Sequence, residues 1–149
     1  EMVSEGLKVK SQMDSGIFRP LQLAAVKALG CGEDWFSALN AEYCRRREAA
    51  GHIFDILGVR YDKGSAGLFL WGKVPEKVLS HNDSEMTPGE RLSEAILHEA
   101  GVFITPGYIF GHNGENYIRA SLCAPVPVLE KAAEKIKRHL EKIENQVFI

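Results

Sequence analysis

Apolar residues recur along this chain at helical spacing in some stretches and alternate or cluster in others. Val3, Leu7 and Met13 give a loose helical pattern with no capping signal, as though the chain opened in mid-element with a further segment upstream. Asp14-Ser15-Gly16 breaks that pattern. Pro20 suits a first helical turn, where its missing N–H costs nothing. Leu21, Leu23, Ala24, Ala25, Val26, Ala28 and Leu29 then predict a short, deeply buried helix ended by Gly30-Cys31-Gly32. A longer helix is expected from Glu33 to Leu57, with Trp35, Phe36, Leu39, Tyr43, Ala50, Ile53, Phe54 and Leu57 mostly at three- and four-residue steps. Gly51 is the weak point of this helix, and Gly58 closes it.

Gly64 and Gly67 flank a turn, and Leu68-Phe69-Leu70-Trp71 reads as a buried strand ending before Pro75. Residues 76 to 87 are mostly polar and predict an exposed loop. Thr87-Pro88-Gly89-Glu90 has the form of a capping box: Thr87 as N-cap, proline at the first helical position, Glu90 three residues on. The helix it starts should reach Ala100, with Leu92, Ile96 and Ala100 on one face and Gly101 as the left-handed residue beyond. A short strand is expected over Val102 to Thr105, ended by Pro106-Gly107. A hairpin turn follows at Gly111-His112-Asn113-Gly114, then a strand over Tyr117 to Ala124. A final helix from Pro127 to Val147 carries Leu129, Ala132, Ala133, Ile136, Leu140 and Ile143. Two late strands joined by a short turn and flanked by helices predict an α+β domain of two layers: a small, mostly antiparallel sheet covered by helices on one face.

Composition narrows the function. The 149 residues are 45% hydrophobic and 26% charged, as in an ordinary globular domain. The formal net charge of −2 leaves no basic excess to track a phosphate backbone, so no nucleic-acid partner is expected. No apolar run approaches the ~20 residues that cross a bilayer, so no membrane partner and no leader segment are expected. Three widely spaced cysteines, Cys31, Cys44 and Cys123, suit a reducing, cytoplasmic setting.

The usual catalytic patterns are weak. The five histidines are scattered, and His98-Glu99 lacks the second histidine of H-E-x-x-H because Val102 stands there, so no metal site is expected and His98 reads as a helix-surface residue. Cys44 beside Arg45 to Arg47 could be an activated thiol, but a small buried residue is the simpler reading, as is a solvated face for the arginines. Asn82-Asp83-Ser84 has the form of a glycosylation acceptor without other signs of secretion. The strand at Tyr117 is more informative. Ile118, Ala120, Leu122 and Ala124 point to one face, and Tyr117, Arg119, Ser121 and Cys123 to the other. Arg119 is then either a water-facing arginine on an open sheet or a planar guanidinium set for bidentate binding of a carboxylate.

The segments "RPLQLAAVKAL", "WFSALNAEYCRRR", "GLFLWGKVP" and "HEAGVFITPGYIFGHNGENYIRASLCAPV", with the closing helix, resemble in order the C-terminal part of class I/II aminotransferases, of the pyridoxal-phosphate fold-type I group. The resemblance implies a small domain over residues 17–149 preceded by a helical lead-in, residues 1–16, from a large domain. It implies a homodimer that moves amino groups between amino acids and 2-oxo acids, with Arg119 clamping the substrate α-carboxylate. The lysine that forms the Schiff base with the cofactor should lie upstream, because neither Lys8 nor Lys10 has the family's Ser-rich approach or a following Gly-x-Arg. Pyridoxal phosphate is therefore expected in the complete enzyme but not bound covalently to this chain, which alone should be inactive. Aspartate, alanine, aromatic amino acids and diaminopimelate are all compatible substrates. A stand-alone, non-catalytic binding module reusing the fold is the alternative.

Overall fold

The structure, a computed structural model, describes residues 2–13, 16–80 and 85–148. Most of the Asp14-Ser15-Gly16 break and the Asn82-Asp83-Ser84 acceptor therefore lie outside the described residues. Two compact units divide the chain after Leu39. Among the described residues, no helix is long and apolar enough to cross a membrane.

The first unit holds helix α1 (Met2–Met13), helix α2 (Arg19–Leu29) and the opening turns of helix α3 (Glu33–Ile56). Pro20 sits in the first turn of α2, and Gly30 ends it by donating its N–H to Val26 O at 3.2 Å. The sequence predicted a deeply buried helix here. Instead α2 buries no side chain, and Leu21, Leu23, Val26 and Leu29 are all exposed. Local signals suffice to make a helix, but burial needs an opposing surface, and the three helical pieces of this unit do not supply one to each other.

In the second unit the rest of α3 buries Ala50, Gly51, Ile53 and Phe54. Gly51 does not break the helix. It makes room for Tyr61, since a Cβ there would overlap the Tyr61 hydroxyl, and the Tyr61 ring meets Phe54 edge-on at 5.5 Å. Gly58, at φ 67°, turns the chain out of the helix region. Four strands follow: β1 (Arg60–Tyr61), β2 (Phe69–Lys73), β3 (Thr105–Pro106) and β4 (Tyr117–Ser121). They form one sheet in the order β1-β2-β4-β3, and every neighbouring pair is antiparallel. On the inward face Leu70, Gly72, Ile118 and Ala120 meet a helical layer built from α3, helix α5 (Pro88–Ala100) and helix α6 (Val126–Phe148). The expected two-layer α+β arrangement is what this unit adopts.

The capping box forms as read: Glu90 N–H donates to Thr87 Oγ1 and Thr87 N–H to Glu90 Oε2, both at 3.3 Å. Gly101 ends α5 at φ 61°. Four expectations change. The strand at residues 68–71 is not buried throughout, because Phe69 and Trp71 alternate outward with Leu70 and Gly72 inward. Within 76–87, Glu76–Leu79 is one helical turn, α4, which buries Val78 and whose Val78 carbonyl accepts from Arg91 Nη2 at 2.7 Å. The Val102–Thr105 strand shrinks to Thr105–Pro106. Residues 102–104 carry the chain from the helical layer back to the sheet, pinned by the Ser93 hydroxyl donating to Ile104 O. Between β3 and β4 the chain makes two 3₁₀ turns, Gly107–Phe110 and His112–Gly114, and the left-handed residue is Gly111 (φ 117°), not Asn113 or Gly114.

Candidate functional site

Arg119 lies on β4, an inner strand of the sheet, where its Cα pairs with Trp71 on β2 and with Thr105 on β3. The alternation that buries Ile118 and Ala120 sends Arg119 to the uncovered face, as the sequence indicated. It is not a water-surrounded arginine there. Its guanidinium carbon sits 4.2 Å from the ring centroids of both Phe69 and Phe110. Its Nε is buried without a hydrogen-bond partner, and among the described residues no carboxylate pairs with it. A buried, unpaired N–H of this kind costs about 1–3 kcal/mol unless a ligand satisfies it.

The aromatic surround is itself buttressed. Trp71 stacks on Tyr117 at 5.4 Å and meets Phe110 edge-on at 5.7 Å. Phe110 reaches this face from the first 3₁₀ turn, whose position depends on close backbone contact: a Cβ at Gly107 would overlap Gly114 O and approach Trp71, and one at Gly114 would overlap Gly107 O. At the other end of β4, Arg46 Nη1 donates to Leu122 O at 3.3 Å and Cys123 O at 3.2 Å, tying α3 to the residues after the strand. Sequence reasoning found Arg119 but not Phe69, Trp71 or Phe110. The period-two alternation of 69–73 carried the signal for the first two. Nothing in the local sequence announced Phe110, which arrives through the turn.

The remaining candidates are not gathered here. Cys44 is exposed rather than buried, on the rim of a surface recess with Arg47, Glu48, Tyr61 and Lys63. The arginine run is not simply solvated. Glu42 accepts from Arg45 at 2.6 Å and Arg46 at 2.8 Å, and Arg47 donates to Ser65 Oγ and Gly67 O. Those hydrogen bonds, Arg45's first, hold the Glu42 carboxyl below its ordinary range. Burial, with Asp55 adding to it, pushes the Tyr61 phenol up. His98 is exposed beside Glu94 at 3.2 Å, and among the described residues no cluster of three or more His, Cys, Asp or Glu side chains is placed to hold a metal.

No family model matches the chain. LL-diaminopimelate aminotransferase from Desulforudis audaxviator is 35% identical over 136 residues, covering 91% of this chain and 32% of that protein. The enzyme of the same name from Moorella thermoacetica is 32% identical over 137 residues, 92% of this chain and 33% of its own length. The chain matches the C-terminal part of aminotransferases over about 90% of its own length. It spans about a third of the length of the curated relatives it matches. Among solved structures, the aromatic aminotransferase from Pyrococcus horikoshii superposes with a TM-score of 0.65 at 28% identity, over 85% of this chain and 32% of that one. Lys8 and Lys10 lie on α1, which buries no side chain, and Lys8 is paired with Glu5 at 2.8 Å.

Proposed function

We propose that this chain supplies the substrate α-carboxylate clamp of an aminotransferase, and that Arg119 is the clamp. The observation that carries the reading is a half-buried guanidinium with no acidic partner among the described residues, a buried unpaired Nε, and aromatic rings against it. Such a group can offer two parallel N–H donors to a carboxylate. Amino-acid and 2-oxo-acid substrates present the same carboxylate, so one arginine serves both directions of amino transfer. The cofactor, when bound, supplies the carbanion stabilisation that amino transfer needs. The residues of this chain bind and orient the acid end of the substrate.

On this reading residues 1–16 are a lead-in from the large domain and 17–149 the small domain. The large domain holds pyridoxal phosphate and its lysine, the enzyme is a cytoplasmic homodimer, and this chain alone is catalytically inactive. The test is steady-state kinetics of Arg119→Lys in the complete enzyme. Loss of one charge-assisted hydrogen bond, about 1.5–3 kcal/mol, should raise KM for both substrates roughly tenfold to a hundredfold. Unchanged KM for both returns Arg119 to an ordinary sheet-face arginine; a complete protein with no amino-transfer activity at all would favour the non-catalytic module.

A further inference from the structure

We propose that Phe69 and Phe110 are positioning residues that hold the Arg119 guanidinium ready for the substrate carboxylate in the place of an acidic partner. The proposal rests on the carboxylate-clamp reading of Arg119. An arginine on a sheet face needs something to fix it, because its side chain has about 2 kcal/mol of rotamer entropy to lose. The common solution is a neighbouring carboxylate. That partner would bind in the guanidinium plane and occupy the N–H groups a substrate needs. Aromatic rings instead attract the cation through their faces and consume no donor. Here both rings stand 4.2 Å from the guanidinium carbon, and among the described residues no carboxylate pairs with it. Phe69 is its diagonal cross-strand neighbour, since Phe69 pairs with Ser121 and Trp71 with Arg119. Phe110 comes from the turn and is held in turn by Trp71. The guanidinium is therefore held against two aromatic rings, and its buried Nε–H remains to be satisfied.

The experiment uses the complete enzyme with Phe69→Leu, Phe110→Leu and Phe110→Tyr. Both rings are about half exposed (42% and 50%), so leucine keeps apolar bulk without opening the core. Each leucine variant should raise KM for the amino acid and the oxo acid roughly twofold to thirtyfold, the range of one cation–π contact. The value of kcat should hold, because the carboxylate is bound alike in ground and transition states. Phe110→Tyr should behave as the parent. A primary amine with the same side chain but no carboxylate should react equally with parent and variants. Arg119→Lys is measured alongside. If Arg119→Lys weakens the acids and neither leucine variant does, the positioning role is overturned and the clamp stands. If Arg119→Lys also changes nothing, the clamp itself is wrong. If the amine suffers as much as the amino acid, the rings serve only local structure and the proposal is again overturned.

Discussion

Replacing Gly89 with alanine opposes two effects of similar size, and the structure decides between them. Gly89 is in the first turn of α5, where alanine is intrinsically the better helix former by up to about 1 kcal/mol. Its N–H donates to Glu115 O at 2.8 Å, which brings the start of the helix against the segment leading into β4. A Cβ there would overlap Tyr117 O, and would stand 3.0 Å from Glu115 O and 3.1 Å from the Tyr117 carbonyl carbon. All three are backbone atoms, so no rotamer change relieves the contact. Either the helix start moves off, stretching a hydrogen bond worth about 0.5–1.5 kcal/mol, or the overlap remains at an overpacking cost of about 1–3 kcal/mol. With up to about 1 kcal/mol of helix propensity subtracted from the overpacking cost, the expected net change is a destabilisation of up to about 2 kcal/mol, read as a lower denaturant midpoint at unchanged slope. Gly6 on α1 has nothing within 4 Å of a Cβ, so Gly6→Ala is the control and should not destabilise. Gly89→Ala more stable than the parent by the full alanine gain would refute the close approach of the helix start to the Glu115 and Tyr117 backbone.

Thr87→Ala removes the oxygen that accepts from Glu90 N–H and should cost about 1 kcal/mol in chemical denaturation; an unchanged midpoint would mean that the box does not hold the start of α5. Glu42 is held below its ordinary 4.5, so the unfolded chain binds more protons as pH falls: its contribution is present above about pH 4.5 and is lost below, and the stability difference between parent and Glu42→Gln should shrink on acidification. A difference independent of pH would contradict that sign. The exposed Leu21, Leu23 and Val26 of α2 should drive this chain to a dimer or larger species, and a strictly monomeric mass by light scattering at high concentration would count against it.

What the sequence made legible followed from local rules. Thr87, Glu90 and Gly101 mark the two ends of α5 by hydrogen-bond satisfaction and backbone conformation, which neighbouring residues largely decide. The alternation through Ile118 and Ala120 placed Arg119 on the open face for the same reason. What escaped depends on surfaces distant in the chain. The apolar character of α2 suggested burial, but burial is a property of a pair of surfaces. β1 has two residues, too few for a periodic signal, and is defined by pairing Arg60 with Lys73 and Tyr61 with Gly72. The hairpin reading of Asn113-Gly114 failed because Gly107 and Gly114 touch backbone to backbone, which favours 3₁₀ turns and moves the left-handed residue to Gly111. Phe110 reached Arg119 only through that turn.

The central claim is that the Arg119 guanidinium binds the substrate carboxylate by two donors. Its most direct measurement is the dissociation constant of a short, unreactive monocarboxylate for the complete enzyme, compared between parent and Arg119→Lys by competitive inhibition. The expected result is binding weaker by roughly tenfold to a hundredfold in the variant, with the fold retained, because an ammonium cannot reproduce the planar fork. Equal dissociation constants for parent and variant would contradict the claim.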